Sequence, residues 1–440
     1  MTEGVGVGLV GFGTIGTGVV KVLQQNRDVI ASRLGFPLEL RRIADRNIER
    51  DRGVDVSGIQ LDDDVEALID DPAVSVVIEL IGGYDAAKQL TLRAIEAGKH
   101  VVTANKALLA VHGEEIFAAA RRRNVDIAFE ASVGGGIPIL RAMREGLSAN
   151  RIEAISGIMN GTTNYVLTEM EKTGEDFEPV LARAQALGYA EADPSFDVDG
   201  VDAAHKLSLL VAMAFGAQLA FKEIPTEGIR GLTPLDFESA EAFGYRIKLL
   251  GIARLCHGAE GDRIEARVHP TMIPQSSLLA NVDGAMNAIA VQGNAVGPTL
   301  YYGAGAGEMP TASAVVADLM EIAREIRRGS AGRVAPLSYP TEALRSHPLV
   351  PLCEVCGRAY LVFQAEDRPG VLGKIAGLLG EHEISIESVV QHDGGGGAAV
   401  PVVVLTHPAR EGSLRDALAR IDSLPDLLGP TRMIRIDEEI

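Results

Sequence analysis

Val5-Gly6-Val7-Gly8-Leu9-Val10-Gly11-Phe12-Gly13-Thr14-Ile15-Gly16 decides how this chain is read. An apolar run ends at Val10. Gly11, Gly13 and Gly16 then give the spacing GxGxxG, and Val19, Val20 and Leu23 follow at helical spacing. In a strand–turn–helix unit the first glycine makes the tight turn and the second lets the backbone approach a pyrophosphate. The third lets helix and strand pack closely, and the helix N-terminus faces the phosphates. Glycine turns alone are common; the strand before and the helix after make residues Gly11, Phe12, Gly13, Thr14, Ile15 and Gly16 a candidate dinucleotide site.

Outward from that turn, short apolar strands alternate with helical segments. Strands are expected at Val5–Val10, Leu38–Ala44, Val74–Leu80, His100–Thr103 and Asp126–Glu130, with helices such as Asp85–Ala97 and Gly113–Arg123 between them. This alternation predicts an α/β fold, a Rossmann-like doubly wound parallel sheet over residues 1–130. From 131 to 310 the pattern changes to an α+β substrate and dimerisation domain, with helices at Thr163–Lys172 and Val201–Ala214 and strands at Ile264–His269 and Ala288–Gln292. A helix over 311–328 is expected to return and complete the first domain. Residues 329–357 hold Pro336, Pro340, Pro348 and Pro351 and read as a linker. Residues 358–440 then follow the order βαββαβ of a ferredoxin-like unit, with a glycine loop at 394–397.

The 440 residues are 47% hydrophobic and 23% charged, enough apolar side chain for two or three cores. With 41 basic and 60 acidic residues the net charge is −19. The short Arg121-Arg122-Arg123 cluster reads as the solvated face of a helix, so nucleic acid and an anionic membrane surface are excluded as partners. No signal peptide or membrane-spanning run is expected. The three cysteines, Cys256, Cys353 and Cys356, fit a reduced, cytoplasmic protein. Cys353-Glu354-Val355-Cys356 lacks the second pair that a zinc site needs and reads as a structural coincidence.

The second strand ends Ile43-Ala44-Asp45-Arg46. An acid at this place accepts from a ribose 2′-hydroxyl, whereas an arginine suits a 2′-phosphate. Both are present, so NAD and NADP stay open, with a lean to Arg46 on a phosphate. Lys106 falls just past the carboxyl end of the His100–Thr103 strand, where open α/β sheets bind ligands. Residues 188–206 carry Glu191, Asp193, Asp197, Asp199 and Asp202 together with Lys206. Asp202 and Lys206 lie four apart at a helix start, on one face. Such carboxylates suit an amino acid's ammonium, and a lysine beside them can exchange a proton with a hydroxyl oxygen during hydride transfer. His205 points away from Lys206 and is expected to pack or cap.

Together these residues resemble homoserine dehydrogenase. The resemblance runs through Gly11–Gly16, Thr103-Ala104-Asn105-Lys106-Ala107, Glu130–Pro138, Gly157–Tyr165, the acidic string to Lys206 and Tyr302–Gly307. It implies NAD(P)-dependent interconversion of L-homoserine and L-aspartate 4-semialdehyde, on the path to threonine, methionine and isoleucine. It makes Lys206 the proton donor to the aldehyde oxygen and sets Lys106 at the nicotinamide and substrate. Glu191 and Asp202 would hold substrate, with Thr162, Gly188 and Asp197 beside them; Thr103 and Gly305 would touch the cofactor. It also implies a structural sodium ion on Glu130, Val133, Gly135 and Ile137, mostly through main-chain carbonyls, which suits a hard cation. The C-terminal unit resembles an ACT domain through Asp367-Arg368-Pro369-Gly370-Val371-Leu372 and Ile384-Ser385-Ile386, implying feedback inhibition by L-threonine. Family likeness implies a homodimer or homotetramer. Two rivals are weaker. A dehydrogenase acting on an acyl phosphate needs a nucleophilic cysteine near the cofactor, and the cysteines begin only at 256. A non-catalytic amino-acid sensor leaves Lys106, Lys206 and Glu191 without a purpose.

Overall fold

The computed structural model describes residues 4–259, 261–391 and 399–440. The expected glycine loop at 394–397 lies outside these. The chain forms two compact units: Met1–Gly161, Val201–Ile224 and Ala285–His347 make the first, and Thr162–Gly200, Pro225–Gly284 and Pro348–Ile440 the second.

The first unit is built on six parallel strands: β1 (Val5–Val10), β2 (Leu38–Ala44), β3 (Gln60–Asp62), β4 (Val76–Glu79), β5 (His100–Thr103) and β6 (Ile127–Ala128). Their order across the sheet is β3-β2-β1-β4-β5-β6, the doubly wound order whose direction reverses beside β1. Val10 pairs with Ala44 and with Glu79, and Glu79 pairs with Thr103. This register aligns the carboxyl ends of four strands in one row. Every residue of β1 is buried, as a strand covered on both faces requires. The helix Glu308–Arg328 does return to this sheet. Its Ala312, Val315 and Leu319 are packed in one core with Val7, Leu9, Val19, Ile43 and Ile78.

Beyond the parallel sheet come β7 (Ile152–Ile158), β8 (Tyr245–Cys256), β9 (Arg263–Pro274), β10 (Met286–Gly293) and β11 (Gly297–Ala304). In the first unit β7 and β11 flank β10, both antiparallel to it. In the second unit β8 and β9 form a long antiparallel hairpin. The C-terminal strands are β12 (Cys356–Glu366), β13 (Ile386–Gln391), β14 (Ala399–Thr406), β15 (Ala409–Arg410) and β16 (Arg432–Ile436). The order β16-β12-β14-β13, with helices Val371–Glu381 and Glu411–Ile421, is the ferredoxin-like arrangement. Its outer strand β16 also pairs in parallel with β9, Arg435 opposite Thr271. Among the described residues no helix is long and apolar enough to cross a membrane.

Candidate active site

The three glycines of the turn differ in what confines them. Gly11 has φ +97°, and a Cβ there would lie 2.6 Å from the Leu80 carbonyl. A Cβ on Gly16 would collide with the Gly11 carbonyl, while one on Gly13 would meet nothing within 4 Å. Gly11 and Gly16 are thus required by the strand–helix packing itself, and Gly13 is the position that lets another group approach the backbone. Asp45, at the end of β2, accepts the Phe12 N–H at 2.6 Å and the Asn47 N–H at 2.8 Å. The cation paired with it is Arg52, at 3.0 Å, which also donates to the carbonyls of Phe12, Asn47 and Arg50 and lies over the Phe12 ring. Arg46 is exposed. Arg52 carries no local signal in the sequence; the fold alone brings it to Asp45.

Two strands away, the buried Glu79 accepts from the Thr103 hydroxyl at 2.6 Å and from the N–H groups of Ile81 and Gly82. Burial pushes its carboxyl up against those hydrogen bonds. Thr103 therefore offers a ligand its strand end rather than its hydroxyl. Asn105 follows as the N-cap of the helix Lys106–Arg123, accepting from Leu108 N–H at 3.1 Å. Lys106 is the first helical residue, which sets its side chain at the carboxyl edge of the sheet.

The helix Val201–Phe215 is buried from Asp202 to its last residue. Polar side chains in such a helix must find partners. Asp202, 2% exposed, meets two ammonium groups: its Oδ1 lies 2.9 Å from Lys106 Nζ, and its Oδ2 accepts from Lys206 Nζ at 2.8 Å. Asn160, just past β7, donates to the same Oδ2 at 2.8 Å, and Lys206 Nζ also donates to the Met159 carbonyl at 2.7 Å. Burial alone would push the Asp202 carboxyl up. The Lys206 and Lys106 charges and the two hydrogen bonds outweigh it and hold the group far below the usual carboxylate range. His205 packs on Phe221 with ring centroids 3.9 Å apart and the rings tilted by 35°. Burial lowers its pKa to about 4, so it packs as neutral imidazole. The i,i+4 spacing disclosed the Asp202–Lys206 pair; Lys106 and Asn160 are joined to it only by the fold.

Glu130, 5% exposed, directs both carboxylate oxygens to the N–H groups of Leu140 and Arg141, each at 2.8 Å. Its own N–H donates to the buried Asp318. What this turn can offer a cation is main chain, and of the expected carbonyls two already accept a backbone hydrogen bond, Glu130 from Val133 N–H at 3.4 Å and Ile137 from Ile139 N–H at 2.8 Å. Gly135 has φ +59°, and a Cβ there would collide with the Gly305 backbone. This packing brings the predicted cation turn against the predicted cofactor residue Gly305. Among the described residues no group of three or more His, Cys, Asp or Glu could hold a metal. A neutral set of carbonyls fits a monovalent ion better than a divalent one.

The remaining predicted residues lie in the second unit. The Thr162 hydroxyl donates to the Tyr189 carbonyl at 2.6 Å. Gly188 has φ +78° and follows the helix Phe177–Ala186. Glu191 is exposed on a loop, its carbonyl held by Gln185 at 3.0 Å. Asp197 lies in a one-turn helix, Ser195–Val198, whose N-cap is Pro194.

A glycine turn at the switch point of a doubly wound sheet, with two lysines on one buried carboxylate, defines a nicotinamide-dependent oxidoreductase. Residues 11–130 match the family described as homoserine dehydrogenase, NAD binding domain, residues 138–320 match homoserine dehydrogenase, and residues 359–426 match the ACT domain. A homoserine dehydrogenase of Pseudomonas aeruginosa is 50% identical over 438 residues, 98% of each chain. A homoserine dehydrogenase structure from Thiobacillus denitrificans aligns with a TM-score of 0.93 at 48% identity over 99% of both chains. A hyperthermophilic archaeal homoserine dehydrogenase in complex with NADPH gives a TM-score of 0.60 at 25% identity, over 78% of this chain and 100% of that one. The chain belongs to the homoserine dehydrogenase family and carries a C-terminal ACT domain.

Proposed function

We propose that the protein interconverts L-homoserine and L-aspartate 4-semialdehyde, with Lys206 exchanging the proton. The observation that carries this is Asp202 held between Lys106 and Lys206. When bound, a nicotinamide supplies or accepts the hydride at the carbon bearing the oxygen. Lys206 gives its proton to the aldehyde oxygen in reduction and takes the hydroxyl proton in oxidation. Asp202 orients both ammonium groups, and the Met159 carbonyl and Asn160 fix Lys206 and Asp202 in turn. Lys106 meets the nicotinamide and substrate. Glu191 and Asp202 hold the substrate, with Thr162, Gly188 and Asp197 beside them; these roles rest on the family likeness.

Gly11–Gly16 receive the pyrophosphate, and Thr103 and Gly305 meet the cofactor through their main chains. Asp45 is compensated by Arg52, which weakens its repulsion of a 2′-phosphate and supports Arg46 as the phosphate ligand. NADP is therefore the favoured cofactor, with NAD also accepted; the archaeal relative's complex with NADPH agrees. A sodium ion on the carbonyls of Glu130, Val133, Gly135 and Ile137 would stiffen the turn packed against Gly305. The ACT domain takes L-threonine as feedback inhibitor, and the chain works as a homodimer or homotetramer in the cytoplasm.

The test is a homoserine-dependent assay of reduced-nicotinamide absorbance with NAD and with NADP, each with and without threonine. Turnover that threonine suppresses is the expected result. No turnover at any pH, with threonine still bound, would favour a sensor.

A further inference from the structure

The ACT domain is tied into its unit by an ion network built on the buried Arg435 and Glu411. Arg435 on β16 donates to both oxygens of Glu227, at 2.7 and 2.8 Å, and to both oxygens of Glu411, at 2.6 and 2.7 Å. Arg415 adds a hydrogen bond to each carboxylate, at 3.0 and 2.8 Å. Glu227 begins a short strap, residues 227–230. On one side the Glu227 N–H donates to the Val268 carbonyl of β9 at 2.8 Å. On the other side the strap grips the turn that carries Asp197. Ile229 N–H donates to the Val198 carbonyl at 2.9 Å. Gly228 lies so close that a Cβ there would collide with Val198 O and lie 2.5 Å from Asp199 Cα. Arg230 closes the outer side, bonding Asp199 at 2.6 Å and the Ser195 hydroxyl at 3.1 Å. Gly200, at φ +83°, ends the turn against Thr226.

We propose that Glu227 is a positioning residue through which the ACT domain sets the Ser195–Asp199 turn, so that effector binding is read as a change in substrate affinity. The proposal rests on the assignment of Asp197 to the substrate and of the ACT domain to an amino-acid effector. The physical route is short: a charge-assisted clasp from Arg435, two peptides of strap, then a backbone hydrogen bond to the residue after Asp197. A change confined to this turn acts on substrate binding, so KM moves and kcat does not.

Glu227→Gln in the full-length chain keeps the shape of the side chain and removes its charge. The expected result is a rise in the homoserine KM of about tenfold, as for a lost charge-assisted hydrogen bond, with kcat within about twofold. Threonine still gives a calorimetric binding signal, but its inhibition is weakened by a similar factor. Arg230→Ala, on the exposed side, loosens the same turn and covers the case in which Glu227→Gln fails to fold. Its expected effect is a smaller KM rise in the same direction, and thermal melting reports the fold of both variants. Unchanged KM and unchanged threonine inhibition in a folded variant would overturn the proposal. A wild-type chain that gives no heat with threonine removes the effector assignment alone, and the KM measurements then decide the joint.

Discussion

Asp45 and Asp202 are both clasped aspartates of the first unit, and they differ in the cation that holds them. Asp45 faces a guanidinium and two backbone N–H groups, and Arg52 is shared with three carbonyls. Asp202 faces two ammonium groups and one amide. A guanidinium does not release its proton in a protein, whereas an ammonium can. The first clasp shapes the nucleotide turn; the second holds exchangeable protons at a fixed place. Burial does not set the two cations apart, since the Arg52 and Lys206 side chains are 5% and 8% exposed; the chemistry of the cation does.

That contrast predicts the largest effect at the lysine clasp. Lys206→Ala should lower kcat by roughly 10²–10⁴, the range for a lost general acid–base, and steady-state homoserine oxidation measures it. A nearly wild-type kcat would remove Lys206 from that role.

A second effect belongs to the same helix. His205 is held neutral by burial, with its pKa lowered to about 4 from 6.5. Between those values the unfolded chain takes up a proton and the folded chain does not. Stability therefore falls as pH drops from 6.5 toward 4, by up to about 3 kcal/mol. Thermal melting across that window should show the loss, and His205→Gln should flatten it; an unflattened profile would assign the acid limb to another group.

The smallest effect is expected at the nucleotide clasp. Arg46→Ala should weaken NADP by about tenfold, one charge-assisted hydrogen bond to phosphate, and leave NAD nearly unchanged. Equal loss for both cofactors, measured as the two KM values, would break the 2′-phosphate assignment.

The bounds of β1, β2 and β5 were readable in the sequence, and the structure keeps them unchanged. β3 escaped the reading because Gln60–Asp62 is three residues long and partly exposed, with no apolar run to mark it. β8 escaped because Arg246 and Lys248 interrupt its pattern. Lys248 is fully buried, its charge answered by the Val282 carbonyl at 2.7 Å and by Asp283 at 3.3 Å. No local pattern announces a buried lysine whose partners come from another part of the chain. The candidate site divides in the same way. GxGxxG and the Asp202–Lys206 spacing are local and legible. Asn160 and Lys106 reach Asp202 only through tertiary packing, and Arg52 reaches Asp45 by way of an irregular loop. The ion network around Arg435 joins Glu227 to Glu411 across the second unit, so the sequence order 227, 411, 435 conceals it.

The most direct test exchanges the two kinds of cation and measures homoserine-dependent kcat with each variant. Lys206→Arg keeps the positive charge beside Asp202 but cannot release a proton, so kcat should fall by roughly 10²–10⁴. Arg52→Lys keeps the charge beside Asp45, and kcat should stay within about tenfold. A Lys206→Arg enzyme that turns over at the wild-type rate would contradict the account.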